Sequence, residues 1–290
     1  MPDNHSYTYI IESYSELPED FKESYRYIIG DNTEASYIIY SVQNKWGRKI
    51  SKLICMLPYK LVVFEKTKEG ITNMCYRPQD ISYVQRRTVL LNSRLNICGT
   101  ISKMNTITTI EFNSTSLELF KPFISYLRVF AAITEEPLYE LTLQNIDKYK
   151  LLDYKFKNYA SQSIIPGEKV QAMVFQPATY EKRMYIYRKP DINAHLSILT
   201  DKEWIIISEG EPDSAKHYKR EDVFTFIPLN KVGEIMIEEE ADKIIVNIIL
   251  LEQEELVLRF DCSQVDELNS FIKIFSRIKR GCDIYRSPTI

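Results

Sequence analysis

Three histidines, five cysteines and one acidic run are the residues of this chain best suited to nucleophilic, acid–base or metal chemistry. His5, His195 and His217 lie far apart in the sequence, and no HxxxH or HExxH spacing occurs. Zinc sites use such close spacings because two ligands must reach one ion from the same helix or loop. The histidines therefore predict no metal centre, and an ordinary structural or surface role is expected for His195.

The cysteines form no CxxC pair, and their odd number is not typical of a disulfide framework. The first residues show neither the basic region nor the apolar core of a signal peptide, and no apolar run approaches the roughly 18 residues of a membrane-spanning helix. We therefore predict a cytoplasmic protein with reduced, mostly buried thiols rather than zinc ligands. The cysteines are Cys55, Cys75, Cys98, Cys262 and Cys282.

Other signals of catalysis are equally weak. The acidic run Glu238–Glu240 with Asp242 falls where a turn between strands is predicted, and a solvated acidic turn is expected there rather than a calcium site. No GxSxG, GxGxxG or GxxxxGK[ST] motif occurs, so hydrolase, dinucleotide and P-loop interpretations lack support. We predict a protein that is not an enzyme and that uses neither a metal nor a cofactor.

Positive charge is the one chemical feature that exceeds the background. Residues 41–103 contain twelve basic and three acidic residues, a net charge of +9, in a chain whose total is −3. Several cations on one loop attract anionic lipid headgroups with about 1 kcal/mol each, and an exposed tryptophan can settle at the membrane interface. The candidate anion-binding residues are Lys45, Trp46, Arg48, Lys49 and Lys52, with a second cluster at Lys182, Arg183, Arg188 and Lys189.

An equally plausible alternative is a solvated basic loop that folds against the acidic N-terminal segment. Residues 1–40 carry eight acidic and two basic groups, so that contact is electrostatically favourable. The near-neutral total also argues against nucleic-acid binding, which usually requires a strongly basic domain.

The elements that position these residues recur in two halves of the chain. A length of 290 residues suggests about two domains, and four similar segments follow in the same order with a spacing that grows from 136 to 151 residues. This pattern predicts a duplicated domain. The segment pairs are Ile28–Asp31 with Ile164–Gly167, Leu57–Glu65 with Leu199–Ser208, Arg77–Ile81 with Ile227–Val232, and Phe120–Arg128 with Phe271–Lys279.

Each half has many strand-like segments followed by one amphipathic helix. In the second half the helix is predicted to begin at an N-cap, Ser263, and to end at Gly281. In the first half Pro122 predicts a helix start near Lys121, because proline is best tolerated in a first turn. Residues 141–159 are helix-prone and form either a connecting helix or the leading helix of the second copy; residues 14–27 are their counterpart.

The second half resembles a bacterial pleckstrin-homology (PH-like) domain in three segments, Ile164–Glu168, Leu199–Gly210 and Phe226–Ile235. The resemblance implies a mainly β fold with α-helices, built as two tandem PH-like bent antiparallel β-barrels or sandwiches, each closed by a C-terminal α-helix. Lys45-Trp46-Gly47 is also similar to the K-x-G loop of phosphoinositide-binding members. The predicted segments are an N-terminal extension (1–20), a first domain (21–138), a helical connector (139–160), a second domain (161–282) and a tail (283–290).

Two functions remain open at this point. The first is a non-catalytic binding module that associates peripherally with an anionic membrane through the basic loop of the first domain. The second is a protein-interaction or assembly scaffold that binds a peptide or a partner protein, including another copy of the chain. Neither involves nucleic acid.

Overall fold

The computed structural model describes residues 7–30, 35–45, 48–132, 149–150, 152–180, 190–210, 221–240 and 242–284. The chain divides into unit 1, Met1–Ala131, and unit 2, Ala132–Ile290. Half of the predicted connector (139–148 and 151) and most of the predicted tail (285–290) lie outside the described residues.

Unit 1 contains two antiparallel strand sets and two helices. The first set comprises β1 (Tyr7–Ile11), β2 (Tyr37–Lys45), β3 (Arg48–Met56), β4 (Leu61–Thr67) and β5 (Gly70–Tyr76), paired in that order. The second set comprises β6 (Ile81–Val89), β7 (Asn92–Ile101) and β8 (Met104–Asn113). The helices are α1 (Glu19–Ile29) and α2 (Leu117–Ala132).

Side chains of β2 alternate between two buried layers, as the period of a strand requires. On one face Tyr40 packs against Phe21 of α1, with ring centroids 5.9 Å apart. On the other face the Ser41 hydroxyl donates to the carbonyl of Glu111 in β8, 3.4 Å away. The first strand set of unit 1 is therefore covered on both sides, which explains its nearly continuous apolar sequence.

Unit 2 is built from the same kinds of element. Its helices are α3 (Tyr154–Ser163) and α4 (Val265–Ile284). Its first set comprises β9 (Val170–Gln176), β12 (His195–Thr200), β13 (Glu203–Glu209) and β14 (Asp222–Pro228), with a small pair, β10 (Thr179–Tyr180) and β11 (Pro190–Ile192), between β9 and β12. Its second set comprises β15 (Val232–Glu240), β16 (Lys243–Leu250) and β17 (Glu255–Asp261).

Apart from β1 in unit 1 and the small pair β10–β11 in unit 2, the two units share one order of elements: helix, four strands, three strands, helix. A 3₁₀ turn joins the two strand sets in each case, at Pro78–Asp80 and at Leu229–Lys231. The final helices also start alike, since the side chains of Asn113 and Asp261 each accept a backbone N–H two residues on and begin a 3₁₀ turn. In unit 2, α3 precedes the first strand set, as α1 precedes β2 in unit 1.

The predicted mainly β fold with α-helices is confirmed, whereas three details need correction. The strand pairings among the described residues leave the sets of each unit open, so no barrel closes. Helix α2 begins at Leu117 rather than near Lys121, because Asn113 already caps the preceding turn and the helix continues through Pro122. Ser263 lies in the 3₁₀ turn before α4, which Asp261 caps, and the helix runs through Gly281.

Within the described ranges, no helix combines the length and the apolar character that crossing a bilayer requires.

Candidate functional site

The β2–β3 hairpin carries the densest basic run of the sequence. Lys45 pairs with Arg48, and Asn44 pairs with Lys49, at the last two positions before the turn. Trp46 and Gly47, the two residues between Lys45 and Arg48 in the sequence, lie outside the described residues. The structure places Lys45, Arg48 and Lys49 together by their strand positions, within two residues of the turn.

Lys52 has a different role from the one predicted for it. Its ammonium donates to the Glu65 carboxylate at 2.7 Å and to the carbonyl of Thr109 in β8, also at 2.7 Å. Only 12% of its side chain is exposed. Because both partners belong to unit 1 and hold its two strand sets together, we remove Lys52 from the candidate anion site.

The β4–β5 turn lies at the same end of unit 1 as the β2–β3 turn. In an antiparallel set every second turn returns to the same end, and β3 joins the two hairpins through pairs such as Ser51 with Lys66. The turn closes at the Thr67–Gly70 pair and exposes Lys68 and Glu69.

The β7–β8 turn also points toward this end, although it belongs to the second strand set. Ser41 in β2 donates to the carbonyl of Glu111 in β8, and Tyr37 at the start of β2 donates its hydroxyl to the carbonyl of Leu119 in α2, six residues past the end of β8. The end of β8 therefore lies toward the start of β2, so we place the start of β8 toward the β2–β3 turn. Ser102 and Lys103 form the β7–β8 turn with positive φ values of 52° and 67°.

We call these three turns the basic end of unit 1; it is defined by Lys45, Arg48, Lys49, Lys68, Glu69 and residues 102–104. Lys68 and Lys103 are exposed, and neither forms an ion pair with another described residue. Met104 beside them is 66% exposed. The described arrangement can therefore offer several cations and one apolar side chain to a broad anionic surface.

Other basic residues of the +9 segment are held in ion pairs along the strands. Lys66 pairs with Asp20 of α1, Arg77 pairs with Asp80 at 3.0 Å, and Arg94 pairs with Glu111 at 3.5 Å. The Lys66–Asp20 pair is the contact with the acidic N-terminal segment that the alternative interpretation predicts, and it involves a lysine outside the three turns.

The second predicted cluster cannot be placed. Lys182, Arg183, Arg188 and Lys189 lie outside the described residues, between β10 and β11.

Residues suited to chemistry occupy structural positions in the described part of the chain. His195 is buried, and its Nε2 lies 2.8 Å from the carbonyl oxygen of Arg259. Burial lowers the pKa of His195 to about 4, although the hydrogen bond to Arg259 opposes this shift. His195 is therefore a neutral core residue, as predicted, while His5 and His217 lie outside the described residues.

The thiols are less uniformly buried than predicted. Cys55 and Cys98 are buried, Cys75 is partly buried, and Cys262 is exposed. Burial raises the pKa of the Cys55 thiol, which makes it a poor nucleophile. The acidic run Glu238–Glu240 is exposed, and no cluster of three or more metal-binding side chains occurs among the residues that the structure describes.

Sequence reasoning missed Lys68, Lys103 and Met104 as members of the site. The order of the predicted strands could have indicated them. In consecutive antiparallel hairpins every second turn lies at the same end of the sheet. Comparison of the sequence with models of known protein families and with curated proteins gives no match.

Proposed function

We propose that this chain is a non-catalytic binding protein that associates peripherally with anionic membrane surfaces through the basic end of unit 1. The observation that carries the proposal is that Lys45, Arg48, Lys49, Lys68 and Lys103 all lie in or next to three turns at one end of unit 1. Each lysine or arginine near an anionic bilayer contributes about 1 kcal/mol to the binding free energy. A single residue therefore attaches the protein only weakly, and the five residues must contact the bilayer together.

Apolar and aromatic side chains near the turns favour a membrane over a soluble anion. Met104 lies in the β7–β8 turn, and Tyr7 pairs with Val42, three residues before Lys45. The Tyr7 ring is 45% exposed. Tyrosine and tryptophan settle at the level of lipid headgroups because their rings are amphipathic, and a flat lipid surface can meet all three turns at once.

The sequence resemblance to PH-like domains supports a binding role in both units. The order of four strands, three strands and a closing helix fits that resemblance, and we propose that the units are tandem PH-like domains. Fold similarity alone does not specify a ligand, so the lipid assignment rests on the basic end.

Vesicle co-sedimentation tests the proposal. The full chain should pellet with phosphatidylserine-containing vesicles at low salt and should be released at high salt, because screening weakens contacts between exposed charges. The triple variant Lys45→Gln, Arg48→Gln, Lys49→Gln should lose most of this binding. Absence of pelleting at low salt, or equal pelleting of the triple variant, would contradict the proposal.

A matched control removes the same charge elsewhere. Lys22→Gln, Lys121→Gln and Lys273→Gln lie on α1, α2 and α4, outside the three turns. This variant should pellet like the native chain, because the proposal depends on position rather than on net charge.

Tryptophan fluorescence provides an independent readout. Trp204 is fully buried and packs 5.0 Å from Phe271 between ring centroids. A Trp204→Phe variant leaves Trp46 as the only indole, so a blue shift on addition of anionic vesicles would report insertion next to Lys45. An unchanged emission spectrum in the presence of bound vesicles would exclude Trp46 from the contact.

A further inference from the structure

The second strand set of unit 2 has one closed edge and one open edge. At the closed edge, β17, His195 donates to the carbonyl of Arg259. The backbone N–H of Asp261 in the same strand donates to the Gln176 side chain. At the other edge, β15 pairs with β16 alone. Within the described ranges, no backbone bond reaches the outer side of residues 234–240, so alternate N–H and C=O groups there can pair with a further strand.

The open edge carries exposed apolar side chains on both faces of the sheet. Met236 is 39% and Ile237 is 41% exposed, and successive side chains of a strand point to opposite faces. Met236 and Val257 both pair with Asn247, so they form one apolar row across the face that points away from the core. Ile237 pairs with the buried Val246 and lies at the margin of the core. An exposed apolar edge of this kind favours the addition of another strand.

The same stretch of β15 is strongly acidic. It contains four glutamates and no basic residue, and none of the four forms an ion pair with another residue that the structure describes. Lys243 pairs with Glu240 in the strand register, but its ammonium contacts the Asp191 carboxylate at 2.8 Å. The negative charge of the edge is therefore not neutralised by the strand beside it. The four acidic residues are Glu234, Glu238, Glu239 and Glu240.

These charges disfavour a second copy of the chain as the added strand. Antiparallel pairing of two β15 edges centred on Ile237 would place Glu234 opposite Glu240 at both ends. Like charges directly opposite each other destabilise a strand pair, and natural sheet edges use charge in this way to prevent self-association. An anionic membrane is disfavoured for the same reason. The edge therefore suits an occupant with positive charge.

We propose that the β15 edge binds an extended basic segment of a partner protein, which adds to the second strand set of unit 2 as a fourth strand. Main-chain hydrogen bonds supply the affinity, and alternate side chains supply the specificity. In antiparallel order the segment carries three basic residues opposite Glu238–Glu240, three apolar residues opposite Ile235–Ile237, and one basic residue opposite Glu234. The proposal does not depend on the membrane role of the basic end.

A synthetic peptide with this pattern tests the proposal. The peptide Arg-Lys-Arg-Val-Ile-Val-Lys, labelled with an uncharged fluorophore, should gain fluorescence anisotropy as the full chain is titrated to near-millimolar concentration. The control peptide Val-Lys-Arg-Ile-Lys-Arg-Val has the same composition and the same charge. It should bind about tenfold more weakly, because several of its cross-strand pairs are mismatched. Equal binding of the two peptides would overturn the proposed pairing.

Backbone methylation of the peptide separates strand addition from simple attraction between charges. A strand edge contacts only one side of the strand that it binds. Methylation of the N–H groups at alternate peptide residues should therefore abolish binding for one alternating set and preserve it for the other set. The two methylated peptides carry identical charge, so equal binding of both would contradict strand addition.

Substitutions in the chain test the position of the site. The triple variant Glu238→Gln, Glu239→Gln, Glu240→Gln should bind the peptide about tenfold more weakly than the native chain, because three opposite-charge pairs are lost. A native chain that does not bind the peptide, or a triple variant that binds it equally well, would overturn the proposal.

A matched control removes the same charge from exposed positions of unit 1. The variant Glu12→Gln, Glu23→Gln, Glu118→Gln should bind the peptide like the native chain. Sedimentation velocity covers the remaining outcome. Self-association that the β15 triple variant abolishes, without any binding of the peptide, would assign the edge to a second copy of the chain and refute the basic partner.

Discussion

His195 Nε2 and the carbonyl oxygen of Arg259 lie 2.8 Å apart and join β12 of the first strand set to β17 of the second set in unit 2. The carbonyl has no proton to donate, so the imidazole is the donor through its Nε2–H. The ring also packs edge-on against Phe260, with centroids 4.6 Å apart. One buried side chain thus helps to hold both strand sets of unit 2 together.

This contact predicts acid sensitivity. His195 has a pKa of about 4 in the folded chain and about 6.5 when unfolded, so the unfolded state binds more protons between these values. The His195 contribution is complete above pH 6.5 and declines as the pH falls toward 4, by about 3 kcal/mol in total.

Urea unfolding of the native chain and of His195→Phe between pH 4 and pH 7.5 measures this contribution. The carboxylates are the same in both proteins. The difference between their unfolding free energies at each pH therefore isolates the contribution of His195. The difference should change with pH in this window and stay constant above it; parallel curves throughout would show that His195 does not titrate as proposed.

Gly99 is expected to be intolerant of substitution. A Cβ atom there would lie 2.0 Å from the backbone oxygen of Asp80, in the 3₁₀ turn between the two strand sets of unit 1. Because the obstacle is backbone, Gly99→Ala should lower the free energy of unfolding by about 3 kcal/mol or more. Gly233→Ala is the control, since its Cβ would approach the Ile249 oxygen only to 3.2 Å. Equal destabilisation of the two variants would contradict this explanation.

Lys52→Met should destabilise unit 1 without selectively weakening vesicle binding. The substitution leaves the Glu65 carboxylate and the Thr109 carbonyl without their shared donor. Partial solvent access at Glu65 limits the expected loss to about 1–2 kcal/mol. Thermal unfolding and co-sedimentation of the same preparation check both statements. A fall in vesicle binding as large as that of the triple hairpin variant would return Lys52 to the anion site.

Leu90→Gly, at φ +53° in the β6–β7 turn, should make the chain more stable by about 1 kcal/mol, because glycine adopts a positive φ without the steric cost that leucine has. Lys103→Gly, at φ +67° in the β7–β8 turn, should show a similar gain for the same reason. Chemical denaturation measures both. A loss of stability in either variant would contradict the explanation from backbone strain.

Apolar patterning in the sequence is enough to predict the core and much of the order of elements. Trp204 is buried, and Phe271 and Phe275 of the predicted amphipathic helix pack on it. These features depend on hydrophobic burial, which requires apolar residues at a regular spacing in the sequence. Helix starts were less predictable, since a cap depends on one side chain such as Asn113 reaching one backbone N–H.

The residues that sequence reasoning missed depend on contacts between distant segments. No turn residue marks Leu90-Leu91 between β6 and β7, and the hydrogen bonds of Ser114 that hold this turn come from 23 or more residues along the chain. Lys52 resembles the neighbouring cations in sequence, and only its position opposite Glu65 and Thr109 distinguishes it. Charge patterns therefore identify a basic segment, while pairing decides which of its members are available to a ligand.

Side-chain hydrogen bonds of Gln176 hold the end of β9 in place, so the connection after this strand can vary. In unit 1 only Trp46 and Gly47 separate β2 from β3, whereas residues 177–194 separate β9 from β12. The Gln176 side chain accepts the backbone N–H of Asp261 and donates to the carbonyl of Pro177, which fixes the strand end on its own. The connection that follows can change in length and composition without unpairing the sheet. A new binding segment can therefore be inserted at this position while the core of the unit stays the same.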